Sequence, residues 1–465
     1  MKQNQYLHSR LKYIIWIFLF FLLCGAGILC TPAAAQADQP IVIVIDPGHG
    51  GENLGAEFDG YTEKNMTLIV AKAMKEELEK YEGVVVYLTH ETDQDMTIKD
   101  RAVFAGERNA DFLFCLHFNA SAEHNLFGAE VWVPASGEYY AKAYSFAQIQ
   151  MDEFSDIGLY SRGIKTRLND KDENYYGILR YCTSEGVPAA LIEHCHMDQD
   201  KDKKFYQLGE EQLVAFGRMD ATAAAKYFRL RSDILGVDYS EYPVPETELP
   251  DGLVRPDKTE PELCRIEVTQ INEDTGEVTI RMEAEDADSY ILYYRYSIDG
   301  GETYILPEEW PRPEAWNESA PDCSFTIKVP FDEKIELLAS ASNGFDKWAE
   351  SNLIEIDPIP DPERLKEELY EEQEEAQEQE EAQEQEEVQE QEEVQEQEEV
   401  QEHYEESQYL EIQADEEELV DDGNYADKNL LQVTMIIVVL IICIIFISFF
   451  MARAIFLLVR GNKKQ

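Results

Sequence analysis

The run Ile41-Val42-Ile43-Val44-Ile45 is unbroken and β-branched, the pattern of a strand covered on both faces. Behind it Leu68, Ala71, Met74 and Leu78 recur at three-to-four spacing, which predicts a helix over residues 68–81. Apolar runs predict further strands at 84–89, 112–116, 129–133 and 189–192. Helical patterns at 100–108, 140–154 and 210–228 fall between and after them. Such alternation predicts an α/β domain over residues 40–228 with a mainly parallel central sheet.

Beyond residue 262 the period changes to two. Val278, Ile280, Met282 and Ala284 alternate with polar neighbours, and Tyr290, Leu292, Tyr294, Tyr296 and Ile298 repeat the pattern before the turn Asp299-Gly300-Gly301. Short strands at this spacing predict a small all-β sandwich over 263–357, similar to immunoglobulin-like modules. Between the two domains, residues 229–262 carry Pro243, Pro245, Pro250, Pro256 and Pro261 among acids, which reads as a stiff linker.

Two segments read as membrane signals. Residues 1–37 combine Lys2, Arg10 and Lys12, an apolar stretch and Ala35-Gln36-Ala37, the form of a secretory signal peptide. Residues 430–459 contain an apolar run, 433–452, of transmembrane length, and the tail at 460–465 is basic. The positive-inside rule then puts the C-terminus in the cytoplasm and the bulk of the chain outside the cell membrane, a single-pass arrangement.

Charge adds a stalk to this picture and removes one class of partner. The 465 residues have a formal net charge of -56, much of it in a Glu/Gln-rich tract within residues 358–429. A six-residue repeat there brings Ala376, Ala382, Val388, Val394 and Val400 into register. Six residues advance a helix by 240°, so no stripe forms and no coiled-coil seam results. With almost no cations to offset its acids, the tract reads as a self-repelling stalk, partly helical or extended, rather than a rigid charge-paired helix. Nucleic acid is excluded as a partner, because phosphate binding needs a basic surface. Of eight cysteines none shows C-x-x-C spacing, so a cysteine zinc site is not expected. An exported domain can carry a Cys264–Cys323 disulfide, although sequence does not fix pairing.

Candidate chemistry lies in the α/β domain. Asp46-Pro47-Gly48-His49-Gly50-Gly51 follows the first strand, Glu63 opens the first helix, His117 follows the strand at 112–116, and Glu193 follows the strand at 189–192. Ligands in open α/β sheets bind outside the carboxyl ends of the strands, so these four can meet in one cleft. Two imidazoles and a carboxylate suit Zn²⁺ with one position open, and a further carboxylate suits proton transfer.

These residues and their order resemble the zinc-dependent N-acetylmuramoyl-L-alanine amidases that cut bacterial peptidoglycan. The resemblance spans residues 41–228 and rests on DPGHGG, TEKNMTL, LHFNA and PAALIE, with Arg101, Gly128-Ala129-Glu130-Val131 and Arg162-Gly163-Ile164-Lys165 also in place. It implies a three-layer α/β/α fold, one zinc ion held by His49, Glu63 and His117, and Glu193 as general base and acid. The implied substrate is the amide between N-acetylmuramic acid and L-alanine in peptidoglycan. The chain departs from the family after Glu193, where His194-Cys195-His196-Met197-Asp198 replaces an apolar, glycine-containing run, and at His90, where an arginine is usual. His194 and His196 fall on the side of an extended segment opposite Glu193 and Cys195 unless a bend turns one toward the metal. Two rivals stay open: an inactive descendant that binds wall or a partner, and a zinc amidase or peptidase acting on another exported substrate.

Overall fold

The β-branched run becomes the second strand from one edge of a six-stranded sheet. In this computed structural model, which describes residues 39–313 and 315–415, the strands and helices of the first domain alternate in the order β1 (Ile41–Pro47), α1 (Glu63–Leu78), β2 (Val84–Leu88), α2 (Ile98–Glu107), β3 (Phe112–Asn119), β4 (Ala129–Trp132), α3 (Gly137–Asp156), β5 (Ser161–Lys165), α4 (Gly177–Ser184), β6 (Ala189–His196) and α5 (Glu210–Tyr227). The sheet order is β2-β1-β3-β6-β4-β5. The first four strands are parallel, β4 runs antiparallel to β6, and β5 runs parallel to β4. The sheet is therefore mixed, with its two reversed strands together at one side.

Alternation along β1 separates two cores. Ile43 and Ile45 pack with Val70, Met74, Phe146 and Phe216 from α1, α3 and α5. Val44 points the other way, into a layer with Ala102, Ala105, Ile178 and Leu179 from α2 and α4. Two helical layers thus cover a sheet buried on both faces, as a continuous apolar strand requires.

Residues 229–262 are a strap rather than a free spacer. A short hairpin pairs Arg231–Ser232 with Val237–Asp238, and Tyr239, Tyr242 and Val244 then pack onto the α1/α3/α5 side. Further along, the Val254 amide donates to Ala135 O at 2.7 Å and the Thr166 hydroxyl to Val254 O at 2.8 Å. The apolar residues set among the prolines find buried sites, which a composition-based reading of the segment misses.

The second domain has two sheets. One holds β7 (Leu263–Asn272), β8 (Glu277–Glu285) and β10 (Asp322–Lys328), with β8 central; the other centres on β9 (Ile291–Ser297) and β11 (Ile335–Asn343) with short edge strands. Ile280, Met282, Leu337 and Ala339 fill the space between them. Cys264 pairs with Ala284 and Cys323 with Met282 on opposite sides of β8. Two interstrand spacings and the two-residue offset put their backbones roughly 11–12 Å apart, beyond disulfide reach, and both thiols are free.

Both domains fall in one compact unit that runs to Leu365. The β-module covers β5, the edge strand of the catalytic-type sheet. Tyr290 donates its hydroxyl to Arg162 O at 2.7 Å, and Arg312 donates to Ser161 O at 2.5 Å, so two carbonyls of that edge are capped by module side chains. A Cβ at Gly163 would lie 1.5 Å from the Tyr290 hydroxyl, so only glycine allows this approach.

The acidic tract is one helix, α6 (Pro362–Asp415), one of the two backbone states left open for it. Glu, Gln and Ala are strong helix formers, and in α6 that preference outweighs side-chain repulsion. The signal-like segment at 1–37 and the apolar run at 433–452 lie outside the described residues. Among those described, no helix is long and apolar enough to cross a membrane.

Candidate active site

The four residues singled out from sequence come together at the carboxyl ends of β1, β3 and β6. His49 sits two residues past β1 with a positive φ of 67°, a strained conformation for a side-chain-bearing residue. Glu63 is the first residue of α1. His117 and Glu193 lie within β3 and β6, which run further than the apolar runs predicted, and they are direct partners in the sheet register.

The His49 Nε2 lies 2.9 Å from one Glu63 oxygen and the His117 Nδ1 lies 2.8 Å from the other. The two rings meet edge to face with centroids 4.9 Å apart. One ligand atom from each of the three residues lies within 4.8 Å of the others, close enough for a single metal ion. The imidazoles are about one-fifth exposed while the Glu63 side chain is 5% exposed, so the cluster is open on the histidine side only.

Backbone and neighbouring side chains hold this geometry. Glu63 accepts the Phe118 amide on one oxygen at 3.1 Å and the Ala56 amide on the other at 2.9 Å. Asn53 Oδ1 lies 2.9 Å from His49 Nδ1 and orients that ring. Arg101 donates to Asp46 at 2.8 Å, to Pro47 O at 2.6 Å and to His49 O at 2.6 Å, clamping the DPGHGG turn from behind. A Cβ on Gly48 would come within 2.4 Å of the His117 ring, so glycine there lets backbone and imidazole touch.

Electrostatics separate the two acids. Burial opposes ionisation of Glu63, but hydrogen bonds from His117 and His49 outweigh it and hold its carboxyl far below the usual carboxylate range. Burial also acts against the His49 cation, and Glu63 overcomes it, raising the imidazole above its ordinary value. Glu193 goes the other way: burial, then the charges of Glu63 and Glu130, push it well above the carboxylate range. One of its oxygens, Oε2, is buried with no hydrogen-bond partner among the described residues. A buried polar atom without a partner calls for an explanation, and this one belongs to a residue that lines the cleft beside the three-donor cluster.

These groups line a cleft of about 410 Å³, walled by Met96, Ile98, Asn119, Tyr176 and Ile178 as well as the four site residues. Asn53 and Asn119 were not singled out from sequence, although Asn53 stands four residues beyond His49 and Asn119 two beyond His117. Tyr176 gave no signal, since it opens α4, a helix that periodicity did not predict.

His194 and His196 are not part of the cleft. His194 is fully buried on the opposite face, between His117 O at 2.9 Å and Asp220 at 2.8 Å, among Phe118, Phe154 and Phe216. His196 has its Nδ1 3.0 Å from Gly128 O. The β3–β6 register shifts between the His117–Glu193 and Asn119–His196 pairs, and this irregularity breaks the alternation, so that Cys195 joins the α1/α3/α5 core. His90 is buried beside Thr89, 3.2 Å from its hydroxyl, and the same hydroxyl donates to Asp46 at 2.6 Å. It therefore stands behind the DPGHGG turn.

Residues 43–217 match the family model described as Amidase_3, N-acetylmuramoyl-L-alanine amidase. The chain is 30% identical over 189 residues to the N-acetylmuramoyl-L-alanine amidase CwlM of Bacillus licheniformis, an alignment covering 40% of this chain and 68% of that one. It is 33% identical over 165 residues to the sporulation-specific N-acetylmuramoyl-L-alanine amidase of Bacillus subtilis, covering 35% and 58%. Against the probable N-acetylmuramoyl-L-alanine amidase AmiB of Haemophilus influenzae it is 35% identical over 125 residues, covering 26% and 27%. The chain thus spans between about a quarter and two thirds of the length of these relatives.

Proposed function

The chain belongs to the N-acetylmuramoyl-L-alanine amidase family, and from that premise we propose that it hydrolyses the amide between N-acetylmuramic acid and L-alanine in peptidoglycan, using one zinc ion. The observation that carries this reading is the joint presence of a three-donor cluster and a buried carboxyl group with an unpartnered oxygen in one cleft.

The residues fit zinc. His49, Glu63 and His117 supply two nitrogens and an oxygen, the donor types of hydrolytic zinc sites that leave one position open. Bound there, zinc would supply Lewis acidity to the scissile carbonyl and make water nucleophilic at neutral pH. Glu193 would take the proton from the attacking water and return it to the departing alanine nitrogen. With zinc held there Glu193 would face a cluster of net positive charge, which would draw its proton affinity down toward the working range. Asn53 and Arg101 hold the His49 ring and turn in place, so the donors are set before substrate arrives.

The chain's ends complete the proposal. An export signal at 1–37 and a single membrane-spanning segment within 430–459 would hold the enzyme on the outer face of the cell membrane with the acidic helix as a stalk. Mass analysis of peptidoglycan digested by the purified protein is the test. Whole stem peptides with a free alanine amine are expected, lost with a chelator and restored by zinc. Cleavage at another bond, or none by zinc-loaded protein, would refute the proposal.

A further inference from the structure

Beside the cleft lies a second buried charge cluster whose outermost member comes from the β-module. Glu130 on β4 accepts Arg162 Nε and Lys165 Nζ on one oxygen, each at 2.8 Å. Its other oxygen accepts the Asn119 side-chain amide at 2.9 Å and the Trp132 indole N–H at 3.1 Å. Arg162 and Lys165 sit on the edge strand β5, and both are buried. Two cations there face one acid of their own domain. Asp346, in the loop after β11, supplies the second acid: both its oxygens accept Arg162 NH2, at 3.0 and 2.8 Å, and Lys165 stands 4.0 Å away. Tyr293 of the module accepts the remaining guanidinium nitrogen at 2.9 Å.

The direction of this chain is toward the cleft. All three guanidinium nitrogens are anchored, NH2 to both Asp346 oxygens, NH1 to Tyr293 and Nε to Glu130, so the module holds two of the three points that set the plane. Nε and Lys165 fix one oxygen of Glu130, which turns the other to Asn119. Asn119 lines the cleft, and its own carbonyl oxygen accepts the Ala120 amide at 2.9 Å. Both ends of that amide are thereby specified. Glu130 is also the register partner of Glu193 across the β4–β6 pair.

We propose that Asp346 is a positioning residue for the cleft, acting through Arg162 and Glu130 on Asn119, so that the β-module is a working part of the catalytic unit. The proposal rests on the amidase reading above. It gives the module a role that a spacer would not have, because holding two of the three nitrogens of a planar guanidinium transmits orientation as well as charge.

The test is a double-mutant cycle in the zinc-loaded full-length protein, with kcat and KM measured on a soluble disaccharide-peptide fragment. Asp346→Asn keeps the shape of the side chain but loses its charge and one of the two oxygens that accept Arg162 NH2, and kcat/KM is expected to fall about tenfold with zinc stoichiometry unchanged. Combined with Asn119→Ala, it should cost no more than Asn119→Ala alone, within about twofold. Asp346→Glu, which keeps the charge, should recover most of the loss. Losses that multiply in the double variant, or an Asp346→Asn rate equal to wild type, would overturn the proposal. If Asp346→Asn fails to fold, Tyr293→Phe enters the same cycle in its place, with the same non-additivity expected. A wild-type protein that cleaves no fragment would sink the amidase reading, and this proposal with it; an active wild type with multiplying losses sinks this proposal alone.

Discussion

Two clusters of buried charge lie side by side at one sheet, and they differ in how completely they are satisfied. In the Glu130–Arg162–Lys165–Asp346 cluster two acids meet two cations, and both Glu130 oxygens are bonded. In the His49–Glu63–His117–Glu193 cluster, among the described residues, no lysine or arginine pairs with either acid, the rings are open to the cleft, and one Glu193 oxygen is buried without a partner. A closed network rigidifies a fold, and an open one is held in readiness for something it must bind. The contrast locates chemistry in the second cluster and support in the first.

The sharpest way to break this contrast is to remove the open acid. Glu193→Gln keeps the shape of the side chain and abolishes proton transfer, so peptidoglycan cleavage should fall by about 10²–10⁴-fold. Zinc content, measured by elemental analysis of the purified variant, should stay at wild-type level. Loss of metal together with activity would move Glu193 into the ligand set and undo the division of roles.

The closed cluster should respond in stability. Arg162→Ala leaves Glu130 facing Lys165 alone and strips Asp346 and Tyr293 of their shared donor. Removing one partner of a buried ion pair costs on the order of 3–5 kcal/mol, to be read from urea unfolding. A loss below 1 kcal/mol would mean that the module docks without this pair.

The two clusters were not equally legible in the sequence. His49, His117 and Glu193 are legible as a set because three polar residues follow apolar strand runs and Glu63 opens the helix after the first of them; each alone has an ordinary structural explanation, and the combination points to a metal. The strands that carry His117 and Glu193 and the strand that precedes His49 are unbroken apolar runs up to the site. Arg162 and Lys165 lie on a short strand with a glycine in it, whose edge position is set by tertiary contacts with a domain more than a hundred residues away. Asp346 sits in a loop with no periodicity to mark it. The same limit explains the strap at 229–262, where prolines dominate the composition but Tyr239, Tyr242 and Val244 decide the packing. In the acidic tract the six-residue repeat does not choose between helix and extended chain, and the helix α6 follows from the propensity of Glu, Gln and Ala.

Protons sharpen the comparison next, at the end of β6. His196 is pushed down to about 4 by burial and then by the Arg162 charge. Asp202, which accepts the His196 and Gly128 amides, is pushed up to about 6 by burial. The signs oppose. For His196 the unfolded state holds more protons between pH 4 and 6.5, so its contribution is complete above 6.5 and is lost as pH falls toward 4. For Asp202 the folded state holds more protons between about 3.8 and 6, so its contribution is complete below 3.8 and is lost as pH rises through 6. The two nearly cancel in the wild type. Relative to wild type, His196→Asn should lose stability as pH rises from 4 to 6 and Asp202→Asn should gain it, by roughly 2–3 kcal/mol each across the window. Urea unfolding at a series of pH values reads both slopes. Parallel curves for all three proteins would mean that neither group is shifted.

The smallest expected effect tests how tightly the open cluster is held. Gly48 lies under the His117 ring, and an added Cβ would approach three ring atoms at 2.4–2.7 Å, closer than real contacts allow. The backbone cannot yield easily, because Gly48 N donates to Leu116 O at 2.9 Å and Gly48 O accepts the Thr67 hydroxyl at 2.8 Å. The imidazole must therefore tilt, carrying Nδ1 away from Glu63 while the fold stays intact. Gly48→Ala should weaken zinc binding by about 10–100-fold, the range expected when the support of a metal ligand is disturbed. Competition with a chromophoric chelator measures the affinity, and excess zinc should restore most of the cleavage rate. If affinity falls and added zinc restores nothing, the ring must do more in the cleft than hold the ion. If affinity is unchanged, His117 is free to move, and the preset geometry claimed for this end of the sheet is wrong.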